Sequence, residues 1–414
     1  MNKANPSRSP RIALALAGGG PLGAIYEIGA LCALEESLEG LDFNALDHYV
    51  GVSAGSFIAA ALANGLTPRE LCAGFIENSD ESTEVFDPSW LLNPAWGEFA
   101  RRGIMLPGLV LSAAWRLLVE RRSLISALER LGPALPTGAF ASDEVDQRLT
   151  QLFTREGRTN DFRRLRSRLT LVATNLDSGE AAPFGEPGWD HVPISRAVQA
   201  SAALPGLFPP VEIDAHYYVD GALKKTMHAS VALEQGLDLL LCLNPLVPFD
   251  ATLPVLPEVM KAGLPSERRR IPRIVDGGLP SVLSQTFRTM IHSRMALGMK
   301  HYEQIYPATD IVLLEPDQRD PEMYLANTFR YSERRHLAEH AYQQTRHYLR
   351  TRRSILSEIF ARHAIALRAD VLDDPHRHLV APVRAKTRIG QAVGTLQESL
   401  EDLRRFVARP RAAV

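Results

Sequence analysis

The chain has few cysteines, little net charge and no long apolar run, and each shortage excludes a class of function. Its three cysteines, Cys32, Cys72 and Cys242, are odd in number, far apart and set in apolar segments. Neither a disulfide framework nor a Cys-x-x-Cys metal site follows from them, so no metal is expected and a reducing compartment, the cytoplasm, is. A formal net charge of -2 provides no global field to recruit nucleic acid, and no such partner is expected. Positive charge is local: from Gln318 onward 18 Lys and Arg stand against 11 Asp and Glu, a basic end suited either to anionic lipid or to a solvated helix face. No stretch approaches the roughly 20 apolar residues that span a bilayer. The nearest, Gly103 to Val119, is interrupted by Pro107 and Arg116. Behind Lys3, Arg8 and Arg11, the apolar run Ile12 to Ala17 is shorter than a signal core of about 7–15 residues and ends in glycines. It reads as a first, buried strand.

What is present is the composition of an ordinary enzyme, with enough apolar residues for one large core or two modest ones. After Ile12 to Ala17 come a tight loop, Gly18-Gly19-Gly20, and a helix over Leu22 to Leu38 with Ile25, Ile28, Leu31 and Leu34 at helical spacing. The unit repeats: His48 to Val52 is a strand, Ser53 a turn, and Ala54 to Asn64 a helix stopped by Gly65. Thr67-Pro68-Arg69-Glu70 spells a capping box, and Ser142 to Phe153 reads as a capped helix. Further strands are predicted at Leu169 to Ala173, Tyr217 to Val219, Leu237 to Leu243 and Asp310 to Leu314, with a helix at Ile194 to Ala203. Glu322 to Leu367 reads as one helix or two. Alternation of this kind predicts a layered α/β fold with a mainly parallel central sheet.

The expected organisation is an N-terminal tail (1–11), a catalytic domain (12–245) with a helical insertion at about 80–136, and a proline-rich connection (246–280) carrying Arg268 to Arg270. A mainly helical region (281–369) and a partly ordered basic tail (370–414) follow.

Gly51-Val52-Ser53-Ala54-Gly55 places a serine between two glycines where a strand becomes a helix. That is the pattern of a nucleophile elbow, in which a strained turn presents the serine and only glycine fits two residues either side. The helix start also favours the alkoxide formed during attack. Acyl transfer further needs N–H donors aimed at the oxyanion, and the loop Gly18-Gly19-Gly20 at a helix start supplies them. Pro21 has no N–H, so the donors fall to Gly19 and Gly20, with Ala54 as a third. The same loop also satisfies a dinucleotide pattern, Gly18-x-Gly20-x-x-Gly23 with Asp42 further on, although a proline there removes an amide that would face a pyrophosphate. Asp220-Gly221-Ala222, after the strand at Tyr217 to Val219, is on its own a turn.

The glycine loop, the elbow and Asp220-Gly221-Ala222, in this order and spacing, resemble the patatin-like phospholipase family, as does Ala200 to Val211 before the aspartate. The resemblance covers about Ile12 to Leu243 and implies a three-layer patatin-like sandwich. It puts the nucleophile at Ser53, the proton-accepting carboxylate at Asp220 and the oxyanion hole in the loop from Gly18 to Gly20. It implies no cofactor, a lipid or phospholipid substrate, and peripheral contact with a membrane. Two departures stand out: Leu22 where the family usually has Arg or Lys, and Lys225 to His228 where it often has Asn-Pro.

The reaction expected is hydrolysis of carboxylic esters of lipids. A lipid transacylase would share every motif, and a catalytically silent lipid-binding scaffold would keep the fold. A Ser-His-Asp triad is the other mechanism, with His336, His340 and His347 in the chain order of α/β-hydrolases. They lie in a basic helical stretch without a turn to present them and are expected at the surface. His216 and His228 flank Asp220 and are expected as a strand-end and a loop residue. Leu106 to Val119, with Leu109, Leu111, Trp115, Leu117 and Leu118, is expected to pack into the core, the alternative being an apolar lid that meets a bilayer. Trp90, Trp96 and Trp115 admit the same two readings.

Overall fold

A computed structural model describes residues 9–77, 93–118, 132–252, 273–325 and 331–380. The strands in chain order are β1 (Ile12–Leu16), β2 (Leu38–Glu39), β3 (His48–Val52), β4 (Arg168–Asn175), β5 (Ala181–Phe184), β6 (Val211–Ile213), β7 (His216–Asp220), β8 (Leu239–Leu243), β9 (Asp310–Leu314) and β10 (Ala366–Leu367). The main sheet runs β6-β7-β4-β3-β1-β8-β9, with β5 also on β4. The run β4-β3-β1-β8-β9 is parallel throughout, while β5, β6 and β7 are joined antiparallel at one side.

Two-residue alternation on the central strands sets the layers. In β1, Ile12, Leu14 and Leu16 enter one apolar cluster, and Ala13 and Ala15 another. β8 divides the same way, Leu239, Leu241 and Leu243 against Leu240 and Cys242. Strands buried on both faces require helices on both. One face carries α1 (Gly20–Ser37) and α2 (Ala54–Ala63). The short α3 (Pro68–Cys72) follows them, opened by the capping box at Thr67 and Glu70. The other face is covered by Met227 to Leu237 and by Met295 of a long C-terminal helix. The result is a three-layer α/β sandwich with a mainly parallel sheet.

The longer helices that remain among the described residues are α4 (Trp96–Leu118), α5 (Asp143–Phe153), α6 (Ile194–Ser201), α7 (Gly278–Ile305), α8 (Tyr331–Thr351) and α9 (Arg353–Ala361). Several details differ from the sequence reading. β5 and β6, four and three residues long, carry too short a pattern to register and were not expected. Ser142 precedes α5 without capping it, because its hydroxyl accepts from Gln199 Nε2 at 3.0 Å. The region after residue 280 is mainly helical, yet β9 extends the central sheet beside β8 and the two-residue β10 pairs antiparallel with β2. α7 takes in the last residues, 278–280, of the stretch read as a connection.

Core packing of Leu106 to Val119 is not what the fold shows. On α4, Ile104, Leu111 and Trp115 are 81%, 74% and 60% exposed, and Trp96 is 73% exposed. The helix is tethered at its start, where Glu98 accepts from the Thr137 N–H and hydroxyl; Leu106 and Val110 are exposed as well, Leu109 is half-buried, and the side chains of Leu117 and Leu118 lie outside what the structure describes. Trp90, the remainder of the insertion at 78–92 and 119–131, Arg268 to Arg270 and the tail at 381–414 lie outside the described residues. Among the described residues no helix is long and apolar enough to cross a membrane.

Candidate active site

Strand register alone aligns the pieces. Leu16 of β1 pairs with Gly51 of β3, so two residues on, Gly18 comes level with Ser53. Val52 pairs with Val172 of β4, and the next residue, Ala173, pairs with Asp220 of β7. Gly18, Ser53 and Asp220 therefore lie in one row across the carboxyl edge of the parallel strands. β7 reaches that row from the opposite direction, antiparallel to β4. Asp220 is the last residue of this strand rather than part of a following turn.

Ser53 adopts φ 53° and ψ -122°, a left-handed conformation costly for a residue with a Cβ and common where a side chain must be presented. The flanking glycines make the turn fit. A Cβ on Gly55 would lie 2.6 Å from the Leu16 carbonyl oxygen of β1, and one on Gly51 2.5 Å from the Ser56 Cα of α2. A third support was not foreseen: Ser201, at the end of α6, accepts from the Ser53 N–H at 2.9 Å and donates to the Val172 carbonyl at 2.6 Å. Its position inside the Ala200 to Val211 segment was the available signal, but a buried serine in an alanine-rich helix has no distinguishing pattern.

The glycine loop closes over the serine. A Cβ on Gly18 would be 3.0 Å from Ser53 Cβ and 3.2 Å from Ala222 Cβ, so the loop, the elbow and the Asp220-Gly221-Ala222 turn meet at van der Waals contact. Gly20 begins α1 with φ 59°, and Gly23 donates to the Gly19 carbonyl at 3.0 Å. The first N–H groups of a helix lack intrahelical partners, which leaves the Gly19 and Gly20 amides without one inside α1. Because the Ser53 N–H is held by Ser201, it is not a free donor.

Asp220 is 2% exposed. The turn crosses tightly over β4: a Cβ on Gly221 would come 2.1 Å from the Val172 carbonyl oxygen. Burial pushes the Asp220 carboxyl up to about 6, opposed by hydrogen bonding from the Ser53 hydroxyl and the Ala222 N–H. The Ala222 N–H donates to Asp220 Oδ1 at 2.9 Å. Gly18, Gly19, Gly20, Ser53, Ala54, Asp220 and Ala222 all line one cavity of about 420 Å³, whose walls are otherwise largely apolar, including Phe57, Phe75, Val198, Leu207 and Phe208. That volume suits a small-molecule or acyl-chain ligand.

A family model for patatin-like phospholipase matches residues 14–233, more than half of the chain. The chain belongs to the patatin-like phospholipase family. Two similar solved structures are VipD from Legionella pneumophila and the type III effector protein ExoU. With VipD the identity is 16% and the TM-score 0.36, covering 83% of this chain and 67% of that one. With ExoU the identity is 19% and the TM-score 0.34, covering 83% and 53%, so this patatin-like chain spans about half the length of ExoU.

The histidines stand apart from a triad. His340 is buried, against the surface position expected, because its Nε2 lies 2.6 Å from Asp320 Oδ2. Burial works to lower its pKa, but the hydrogen bond and charge of Asp320, with Glu322, raise it on balance. His336 meets Glu322 and His347 meets Arg350. His216 opens β7 and is exposed. His228 is buried, its Nε2 is 3.3 Å from the Gly221 carbonyl, and burial lowers its pKa to about 4. A neutral imidazole donating there steadies the turn after Asp220. Asp42, needed for a dinucleotide site, accepts from the Asn44 N–H before β3, at the opposite end of the sheet from the glycine loop.

Proposed function

We propose that this patatin-like chain hydrolyses carboxylic esters of lipids through a Ser53-Asp220 dyad. As Ser53 Oγ bonds to the carbonyl carbon, its proton passes to the Asp220 carboxylate. The oxyanion is held by the amides of Gly19 and Gly20 with that of Ala54. Collapse of the tetrahedral intermediate expels the alcohol, which leaves with the proton from Asp220, and the acyl group stays on Ser53. Water then attacks the acyl-enzyme, giving its proton to Asp220, and the fatty acid departs as Ser53 regains its own.

The observation that carries this reading is the buried Asp220, with its pKa pushed to about 6, in one cavity with a serine on a left-handed elbow. A free carboxylate is a weak base; one poised near 6 is matched to work at neutral pH. Peripheral membrane contact is part of the proposal, through the exposed apolar residues of α4. The test is hydrolysis of short- and long-chain p-nitrophenyl esters and a phospholipid by wild type, Ser53→Ala and Asp220→Asn. Activity in wild type that falls to background in both variants is expected. An Asp220→Asn enzyme retaining most of its activity would overturn the dyad.

A further inference from the structure

The glycine loop is backed from two sides. The elbow and Ala222 meet it at Gly18, and the end of β8 meets it further on. Leu16 of β1 pairs with Leu243 of β8, and the Leu243 carbonyl accepts from the Ala17 N–H at 3.0 Å. β8 therefore holds the chain at the last residue before the loop. Two residues past the strand, Pro245 is buried and its ring lies on the loop: a Cβ on Gly19 would come 2.8 Å from Pro245 Cγ, and one on Gly23 3.0 Å. The same Cβ on Gly19 would lie 2.7 Å from Gly23 Cα. Gly19 is thus pressed between the first turn of α1 and one proline ring.

The direction of that ring is set by Asn244, which is wholly buried. Its N–H donates to the Leu314 carbonyl of β9 at 2.9 Å. Its side chain is bonded at both ends: Oδ1 accepts from the Leu246 N–H at 3.1 Å, and Nδ2 donates to Glu315 Oε1 at 2.6 Å. The first of these closes a turn around Pro245. Because proline has one fixed φ, a turn pinned at residues 244 and 246 leaves its ring one place to point. Glu315 is half-buried just beyond β9, and His292 Nδ1 of α7 lies 3.7 Å from the same carboxylate oxygen. The anchor of the turn therefore stands between the sheet and the helix that walls the cavity, and Leu246 lines that cavity itself.

We propose that Asn244 is a positioning residue of the oxyanion hole: anchored on Glu315, it seats the Pro245 ring on Gly19 and Gly23 and so fixes the Gly19 and Gly20 amides where the tetrahedral oxyanion forms. The inference rests on the ester-hydrolase reading of Ser53 and adds to it three residues beyond 14–233. A loop that loses this backing binds the transition state less well and the ground state as before, so the defect belongs in kcat.

Wild type, Asn244→Ala, Pro245→Ala, Asn244→Asp and Asn244→Asp/Glu315→Gln are compared on p-nitrophenyl butyrate, with competent molecules counted by fluorophosphonate labelling carried to completion. Two inhibitors of equal chain length complete the set. In an octyl trifluoromethyl ketone the carbonyl carbon takes Ser53 Oγ, the serine proton passes to Asp220 and the carbonyl oxygen becomes the oxyanion; octyl methyl ketone binds without adding. In Asn244→Ala, kcat per labelled site falls about 10- to 100-fold, the scale of a displaced oxyanion donor. The trifluoromethyl ketone weakens by a similar factor, while KM and the methyl ketone stay as in wild type. Pro245→Ala, which removes only the ring, shows the same pattern and keeps the test open should Asn244→Ala not fold. Asn244→Asp sets a carboxyl against Glu315 and behaves like Asn244→Ala; the double variant reverses the hydrogen bond and regains kcat and trifluoromethyl ketone affinity together. Fewer labelled sites at unchanged kcat per site and unchanged ketone affinity would overturn the inference and make Asn244 a residue of the fold alone. Equal weakening of both ketones would also overturn it, making the turn a wall of the acyl site. A wild type that takes no label and binds both ketones alike would remove the ester-hydrolase reading and this inference with it, whereas an active wild type matched by its variants removes the inference alone.

Discussion

Asp220 must be buried to be a useful base, and the burial that raises its pKa also weakens the fold. In the unfolded chain the carboxyl ionises near 3.8; in the fold it does so near 6. Below both values it is neutral in either state and the burial of charge costs nothing. Above about 6 it is charged in both, and the folded state bears a penalty of roughly 3 kcal/mol at about 1.4 kcal/mol per pKa unit. Asp220→Asn, neutral at every pH, is therefore expected to be inactive yet more stable than wild type at pH 8. The gain shrinks as pH falls from 6 towards 4, and urea unfolding at the two ends of that range measures it. Equal stability of the two proteins at pH 8 would remove the burial argument. At this scale Ser53 was legible from the glycines at fixed spacing on either side of it, whereas Asp220, on its own a turn residue, stood out only through the family resemblance. The placement of Ser201 and His340 was not readable, because it depends on partners distant in sequence, Val172 and Asp320.

Elements with strong periodicity on both faces were legible nearly to the residue. β3 falls on His48 to Val52, an apolar run buried throughout, and β9 on Asp310 to Leu314, whose apolar run marks it although it lies at the sheet edge and is only partly buried. β5 and β6 pair at the antiparallel side and needed the tertiary fold to define them. α4 misled for a physical reason: an apolar stripe looks the same in sequence whether it meets a core or faces outward. Its base is joined to the cavity rim. Glu98 holds Thr137, the Thr137 carbonyl accepts from the Gly206 N–H at 3.2 Å, and the Leu207 carbonyl accepts from the Phe140 N–H at 2.8 Å; Leu207 and Phe208 line the cavity. If this face meets lipid, Leu111→Ser with Trp115→Ser should lower hydrolysis of phospholipid vesicles about tenfold while p-nitrophenyl butyrate is cleaved as in wild type. Co-sedimentation with vesicles checks the binding step. Undiminished vesicle activity would return α4 to a role in packing alone.

Across the whole molecule, the stretch that marks the family and the stretch beyond it form one unit. β9 completes the sheet against β8. α8 packs so closely on α1 that a Cβ on Gly29 would lie 2.4 Å from the Ala338 carbonyl oxygen, and Tyr342 donates to Glu36 at 2.7 Å. α7 then closes one side of the cavity with Ser284, Phe287, Arg288 and Ile291. The account's central claim is that a single buried carboxylate activates Ser53 within this enclosure. The most direct test is the rate at which the intact chain is labelled by an alkyl fluorophosphonate across pH, read by intact mass and peptide mapping. One adduct on Ser53 is predicted, with a rate level above pH 6 and falling about tenfold per pH unit below it as Asp220 takes up its proton. No adduct, an adduct on another residue, or a Ser53 rate indifferent to pH across that range would contradict the account.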